Sequence, residues 1–317
     1  MVAKIFIDGE AGTTGLQIRE RLAGRRDLEV ISIAHEKRKD QDERKRLLNA
    51  ADVAILCLPD EAAKESVRLI ENDTTRVIDA STAYRIDPTW AYGFAEMDKG
   101  QAEKIANARF VANPGCWPQG LISGLRPLIA AGLIPADHPT IYHGISGYTG
   151  GGRQMIEDYV AEGDQASQYM PYGLTFHHKH LPEMKLYSGL KHEPLFEPVV
   201  GNFAQGMSTS LPLQLGALAK VPTGADIHAA IADHFAGIKD SFVKVAPYDA
   251  NLGKTSALDP QAHNGTNTLT LHVFANDARA QVVIAAVYDN LGKGASGAAV
   301  QNLNLMLGVA AAESLAA

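Results

Sequence analysis

A chain of 317 residues, 46% hydrophobic and 21% charged, can bury a large core, and it is longer than one hydrophobic core usually serves, so two domains are expected. A formal net charge of −7, with no Lys/Arg block interleaved with aromatics, argues against nucleic acid as a partner. No apolar run approaches the roughly 20 residues that span a bilayer, and the start MVAKIFIDG enters a strand pattern without a signal-peptide profile, so no membrane is involved and a cytoplasmic location is expected.

In chain order, AKIFID, EVISIA, DVAILCLP and RVIDAS read as short apolar strands, separated by helical patterns near Thr14–Ala23, Glu43–Asn49 and in EAAKESVRLIEN. Such alternation implies right-handed crossovers and a parallel sheet buried on both faces, so the fold class is α/β and residues 1–115 are expected to form a Rossmann-type, doubly wound nucleotide-binding domain. From Cys116 to Leu128 the apolar spacing is helical, and Pro118 falls in the first turn, where proline is tolerated. Beyond it, TIYHGISGYTG, TSLPLQLGAL, SFVKVAPY, TLTLHVFAN and AQVVIAAVYDN carry strand patterns with fewer helices between them. These predict a second, α+β domain with a mixed or antiparallel sheet over 116–294. A last helix is expected over Ala298–Ala312.

Directly after the first strand, G-E-A-G-T-T-G places Gly9, Gly12 and Gly15 around Thr13 and Thr14 and then opens a helix. This spacing lets backbone approach a pyrophosphate and points a helix N-terminus at it; a plain tight turn is the alternative. The second strand ends near Ala34 and runs into His35, Glu36, Lys37, Arg38 and Lys39. An acidic residue there accepts from a ribose 2′-OH, whereas cations favour a 2′-phosphate, so Lys37 and Arg38 point to NADP, against the reading of an ordinary solvated charge run.

Two cysteines are too few for a disulfide framework and fit a reducing compartment. Cys57 lies within the apolar run VAILCLP and reads as core. Cys116, in VANPGCWPQG, follows a Pro-Gly bend and opens a helix, where the N-terminal dipole favours the thiolate that attacks. Downstream, FHHKHLPEM crowds His177, His178 and His180; no second Cys or His cluster completes a zinc site, so no metal is expected and an acid–base role is favoured over ligation.

These motifs, with LPDEAA, IDASTAYR, HGISGYTGGGR, H-K-H-L-P-E and DNLGKGASGAAVQN, resemble the N-acetyl-gamma-glutamyl-phosphate reductase family in its shorter form, through most of the chain. The resemblance implies NADPH-dependent reduction of an acyl phosphate to an aldehyde, in arginine biosynthesis, through a thioester on Cys116. It implies His180, with His178 as substitute, for acid–base work. Ser81, Asn290 and Gly294 are then expected on the cofactor side, and Arg85, Ser146, Gly147 and Arg153 around the substrate. It also implies that 116–294 is the catalytic, substrate and oligomerisation domain, that the final helix, 295–317, completes the first domain, and that the enzyme is a homo-oligomer, dimer or tetramer. Gln119 stands where the family often has Thr. Rival readings are a related acyl-phosphate reductase such as an aspartate-semialdehyde dehydrogenase, and a catalytically silent NADP-binding sensor.

Overall fold

Short runs of branched apolar residues between helical segments have one stable arrangement, in which strands pair side by side and helices cover both faces. A computed structural model describes residues 2–249 and 258–317. It divides into a unit of Met1–Ala95, Gly100–Gly115 and Ala295–Ala316 and a second of Glu96–Lys99, Cys116–Gly294 and Ala317. The chain begins β1 (Ala3–Asp8), α1 (Thr13–Leu22), β2 (Leu28–Ile31), α2 (Gln41–Ala50), β3 (Val53–Leu56) and α3 (Asp60–Leu69). It continues through β4 (Arg76–Asp79), β5 (Ala91–Tyr92), α4 (Gln101–Asn107) and β6 (Phe110–Ala112). Next come α5 (Cys116–Ala130), β7 (Ile141–Gly147), α6 (Gly152–Glu162), β8 (Tyr169–Pro171), α7 (Leu181–Ser188), β9 (Leu195–Gly201) and β10 (Met207–Gln214). Last are α8 (Gly224–Ala236), β11 (Val243–Val245), β12 (Leu269–Asn276), β13 (Gln281–Tyr288) and α9 (Gly297–Leu307).

In the first unit the strands form a parallel sheet in the order β2-β1-β3-β4-β6-β5, the doubly wound arrangement expected from the alternation. The two-residue period of a strand divides its core. Ile5, Ile7, Ile55 and Ile78 pack with Val300 and Leu303 of α9, while Phe6, Ala54, Leu56 and Val77 pack with Leu47 and Leu48 of α2. At the end of β1, buried Asp8 accepts from Ser66 Oγ at 2.7 Å and Arg44 Nη2 at 3.1 Å, which ties α3 and α2 to the strand just before Gly9.

The second unit carries the mixed sheet β11-β12-β13-β10-β7-β9-β8, antiparallel except at β11–β12 and β7–β9. Helix α5 packs against β10, β13, α7 and α8. The strand-dominated reading of this region missed α6, α7 and α8. A capping box at Thr223 and Asp226 marks the start of α8, where the Thr223 hydroxyl accepts from the Asp226 amide and the Asp226 carboxylate accepts from the Thr223 amide. The last helix stops at Leu307, not Ala312, because Gly308 turns left-handed at φ +71° and its N–H bonds back to the Leu305 carbonyl.

Lys293 and Glu96 form a fully buried ion pair at 2.7 Å, and Glu96 also accepts from the Phe242 amide at 3.1 Å. Burial pulls the Lys293 ammonium below the ordinary lysine range, against the opposing pull of Glu96. Lys293→Met leaves the carboxylate buried without its cation and is expected to cost about 3–5 kcal/mol in denaturant titration. A loss under about 1 kcal/mol contradicts that account of the pair.

Candidate functional site

In the first unit, β1 ends at Asp8 and the chain turns at Gly9 with φ +89°, where a Cβ would lie 2.3 Å from the Cys57 carbonyl oxygen. Only glycine fits. The turn is closed by the Gly12 amide donating to the Gly9 carbonyl at 3.0 Å, and α1 starts at Thr13 with no side chain capping its first amides. Those amides, of Thr13, Thr14 and Gly15, form a cradle for an anion. Beside it lies a cavity of about 1100 Å³ lined by Gly9, Gly12, Arg19, Ser32, Arg38 and Lys39, among others.

Arg38 is held against His35, its Nε donating to the His35 carbonyl at 3.1 Å; Lys37 ends the same short turn and lies outside the lining. Sequence reasoning missed Arg19 and Ser32. Arg19 pairs with Glu10 and its Nη1 donates to Ser32 Oγ at 2.9 Å, so a cation and a hydroxyl stand at the end of β2. A basic residue two turns into the loop's own helix was the available signal. Cys57 also borders the cavity, and burial, then the charges of Asp79 and Asp8, push its thiol up to about 12, so it stays protonated and unreactive. Ser81 donates to Asp79 at 2.6 Å, and burial lifts that carboxyl to about 6 against the Ser81 hydrogen bonds. Arg85 is buried, and its Nη2 donates to the Ala80 carbonyl at 3.1 Å.

In the second unit, Cys116 is the first residue of α5, as the Pro-Gly bend predicted, and the residue is half-buried. Trp117 Nε1 donates to the Tyr172 hydroxyl at 3.1 Å, and burial, then the charge of Cys116, raises the Tyr172 phenol above its ordinary range. The Tyr172 ring lies 5.8 Å from that of His178, which packs at 4.7 Å from His180 and 5.1 Å from Phe196. His180 is buried at the start of α7. Its Nε2 lies 4.0 Å from Glu183 Oε1, and its amide donates to His178 Nδ1 at 3.2 Å. The structure thus links Cys116, His178 and His180 through rings that the sequence did not mark.

Ser146 and Gly147 end β7. Asn290 stands close by, accepting from the Gly206 amide at 2.8 Å and donating to Thr149 Oγ1 at 3.0 Å. Gly294 presses on Cys116, since a Cβ there would lie 2.9 Å from Cys116 Cβ. Arg153 is exposed on α6, its Nε donating to Glu157 at 2.7 Å. Among the described residues no group of three His, Cys, Asp or Glu side chains could hold a metal ion, and no helix is long and apolar enough to cross a membrane.

Residues 4–108 match the family model described as semialdehyde dehydrogenase, NAD binding domain, and residues 116–290 match semialdehyde dehydrogenase, dimerisation domain. The chain is 66% identical to an N-acetyl-gamma-glutamyl-phosphate reductase of Mesorhizobium japonicum, covering 98% of this chain and 100% of that one. It is 65% identical to the enzyme of the same name from a Chelativorans species, over 97% of this chain and 99% of that one. Among solved structures, aspartate semialdehyde dehydrogenase II of Vibrio cholerae shares the fold with a TM-score of 0.70 at 13% identity, covering 97% of this chain and 99% of that one.

Gly9→Ala is expected to weaken nicotinamide-cofactor binding at least about tenfold, because a β-carbon cannot occupy that turn without displacing the loop from Cys57. Calorimetric titration reads it, and unchanged affinity would show that the loop does not hold the cofactor.

Proposed function

This chain belongs to the N-acetyl-gamma-glutamyl-phosphate reductase family, and from that we propose that it reduces N-acetyl-gamma-glutamyl phosphate to N-acetylglutamate semialdehyde and phosphate in arginine biosynthesis, with NADPH as reductant and Cys116 as nucleophile. The observation that carries the reading is Cys116 at the opening of α5, with the adjacent Trp117 bonded to the Tyr172 hydroxyl and the ring of Tyr172 meeting His178.

The Cys116 sulfur attacks the acyl carbon, forming a C–S bond as the C–O bond to phosphate breaks, and leaves a thioester. When bound, the nicotinamide supplies the hydride that takes the acyl carbon to the aldehyde level. His180 handles the proton at the substrate oxygen as the C–S bond breaks and the Cys116 sulfur departs from the aldehyde, with Glu183 Oε1 4.0 Å from the His180 Nε2. His178 is less suited, because its Nδ1 is engaged as the acceptor of the His180 amide. Ser146, Gly147 and one of Arg85 and Arg153 take the anionic groups of the substrate, so loss of the arginine concerned raises KM.

Gly9, Gly12, Thr13, Thr14 and Gly15 take the cofactor's pyrophosphate, and Arg38, with Lys37, its 2′-phosphate. Ser81, Asn290 and Gly294 are assigned to the nicotinamide end. Ile141 and Leu195 are paired neighbours on the outward face of the second sheet, each about half exposed, and we assign that face to a homo-oligomer, which sedimentation reads directly. Two cysteines in the thiol form suit a reducing cytoplasm.

Phosphate-dependent oxidation of N-acetylglutamate semialdehyde tests the reaction, and aspartate semialdehyde turned over equally well would favour the rival reductase. With the same substrate, kcat/KM is expected to favour NADP over NAD, and Arg38→Ala to erode that preference. Equal use of NAD by the wild type contradicts the 2′-phosphate assignment.

His180→Ala is expected to lower kcat by roughly 10²–10⁴-fold with cofactor affinity kept, and His178→Ala to cost less. The reverse ranking moves the acid–base role to His178.

A further inference from the structure

The first turn of α5 is gripped from the sheet side by two phenols. Tyr288, the last residue of β13, donates its hydroxyl to the Cys116 carbonyl at 2.7 Å, and Tyr142 of β7 donates to the Trp117 carbonyl at 2.8 Å. The Gly120 and Leu121 amides in turn lie against the Tyr288 and Tyr142 hydroxyls. Room for this exists only because residue 120 has no side chain. A Cβ on Gly120 would sit 2.6 Å from the Tyr142 and Thr209 hydroxyls and 3.0 Å from that of Tyr288. Both phenols are fully buried, and burial holds them above the ordinary tyrosine range, so both remain donors across the working pH range.

The two bonds are not equivalent. The carbonyl of Cys116 and the amide N–H of Trp117 belong to one peptide unit, and a helix leaves the amides of its first turn without intrahelical partners. The carbonyl of Trp117 belongs to the unit that ends at the Pro118 nitrogen, which has no hydrogen to offer. A donor on the first unit strengthens a free N–H beside the nucleophile; a donor on the second strengthens none.

We propose that Tyr288 is a positioning residue for the nucleophile: its hydroxyl, bound to the Cys116 carbonyl, fixes the backbone that carries the sulfur and polarises the peptide whose N–H, that of Trp117, favours the thiolate. Tyr142 fastens the same turn without that electronic effect. The strand end that supplies Tyr288 leads through Asp289 to Gly294, which closes on Cys116 Cβ, so one segment holds the nucleophile's residue at its carbonyl and at its side chain. This inference rests on Cys116 being the nucleophile.

The full chain is tested as wild type, Tyr288→Phe and Tyr142→Phe, by the rate at which iodoacetamide alkylates Cys116, quantified on its peptide from about pH 5 to about pH 10. Tyr172, His178, His180 and Glu183 are ionisable side chains of the same site in all three proteins, so the variants are compared with wild type at each pH. Tyr288→Phe is expected to slow alkylation about threefold below the thiol pKa and to match wild type above it, with kcat down by a similar factor and KM nearly unchanged. Tyr142→Phe, which removes a hydroxyl that also meets that of Tyr288, is expected to displace the profile clearly less than Tyr288→Phe does.

A Tyr288→Phe profile unchanged, or lowered equally at every pH, overturns the proposal, as does an equal displacement in Tyr142→Phe. Should Tyr288→Phe not fold, Tyr288→3-fluorotyrosine provides a stronger donor and is expected to speed alkylation at low pH; no acceleration overturns the proposal. Turnover surviving in Cys116→Ala would remove the parent reading, whereas an inactive Cys116→Ala with an unchanged Tyr288→Phe profile removes this inference alone.

Discussion

Two absent side chains allow the protein to close around Cys116. At Gly120 the missing Cβ admits the hydroxyls of Tyr142, Thr209 and Tyr288 to the first turn of α5, and at Gly294 it admits a loop against Cys116 itself. A methyl group at either place would meet an atom inside 3.0 Å, and a close-packed interior cannot yield that much without moving a strand or a helix. The partners are themselves anchored. Gln119 donates to the Lys293 carbonyl at 2.7 Å, and Lys293 is pinned by Glu96, so the loop bearing Gly294 is held from both ends of residue 293. The Cys116 thiol therefore stands on tightly packed backbone, which is what the proposed nucleophile requires.

The contrast between the two cysteines follows from the same physics. Cys57 sits at a strand end beside Asp8 and Asp79, where burial and like charge both oppose ionisation. Cys116 sits where a helix begins, and the amides there favour a negative charge. Near it stand aromatic and imidazole rings, held by edge contacts to Phe196 and by the Trp117–Tyr172 hydrogen bond. Rigid rings hold a site with little side-chain entropy to lose.

Much of this was legible in the residues alone, for reasons that can be named. Continuous branched runs such as VAIL can only be strands buried on both faces, so the parallel sheet followed directly. Pro-Gly before Cys116 announced both the bend and the helix. The second unit was less readable. Its helices α6 and α7 have short or weakly patterned apolar faces, and α7 begins within the histidine-rich run that had drawn attention for its chemistry. What one dimension cannot display is pairing at a distance. Nothing near Glu96 signals that it belongs with Lys293, 197 residues later, or that Tyr288 reaches back to Cys116 across 172. Glu96, Lys293 and Tyr288 are each buried, and only the fold tells which of them meet.

The account turns on covalent bond formation at Cys116. Enzyme mixed with N-acetyl-gamma-glutamyl phosphate, without reduced cofactor, and quenched in acid should carry one acyl group on the Cys116 peptide by mass spectrometry, with phosphate released in equal amount. Acyl transfer to the Cys57 peptide, or turnover with no adduct at Cys116 under conditions that preserve thioesters, would contradict it.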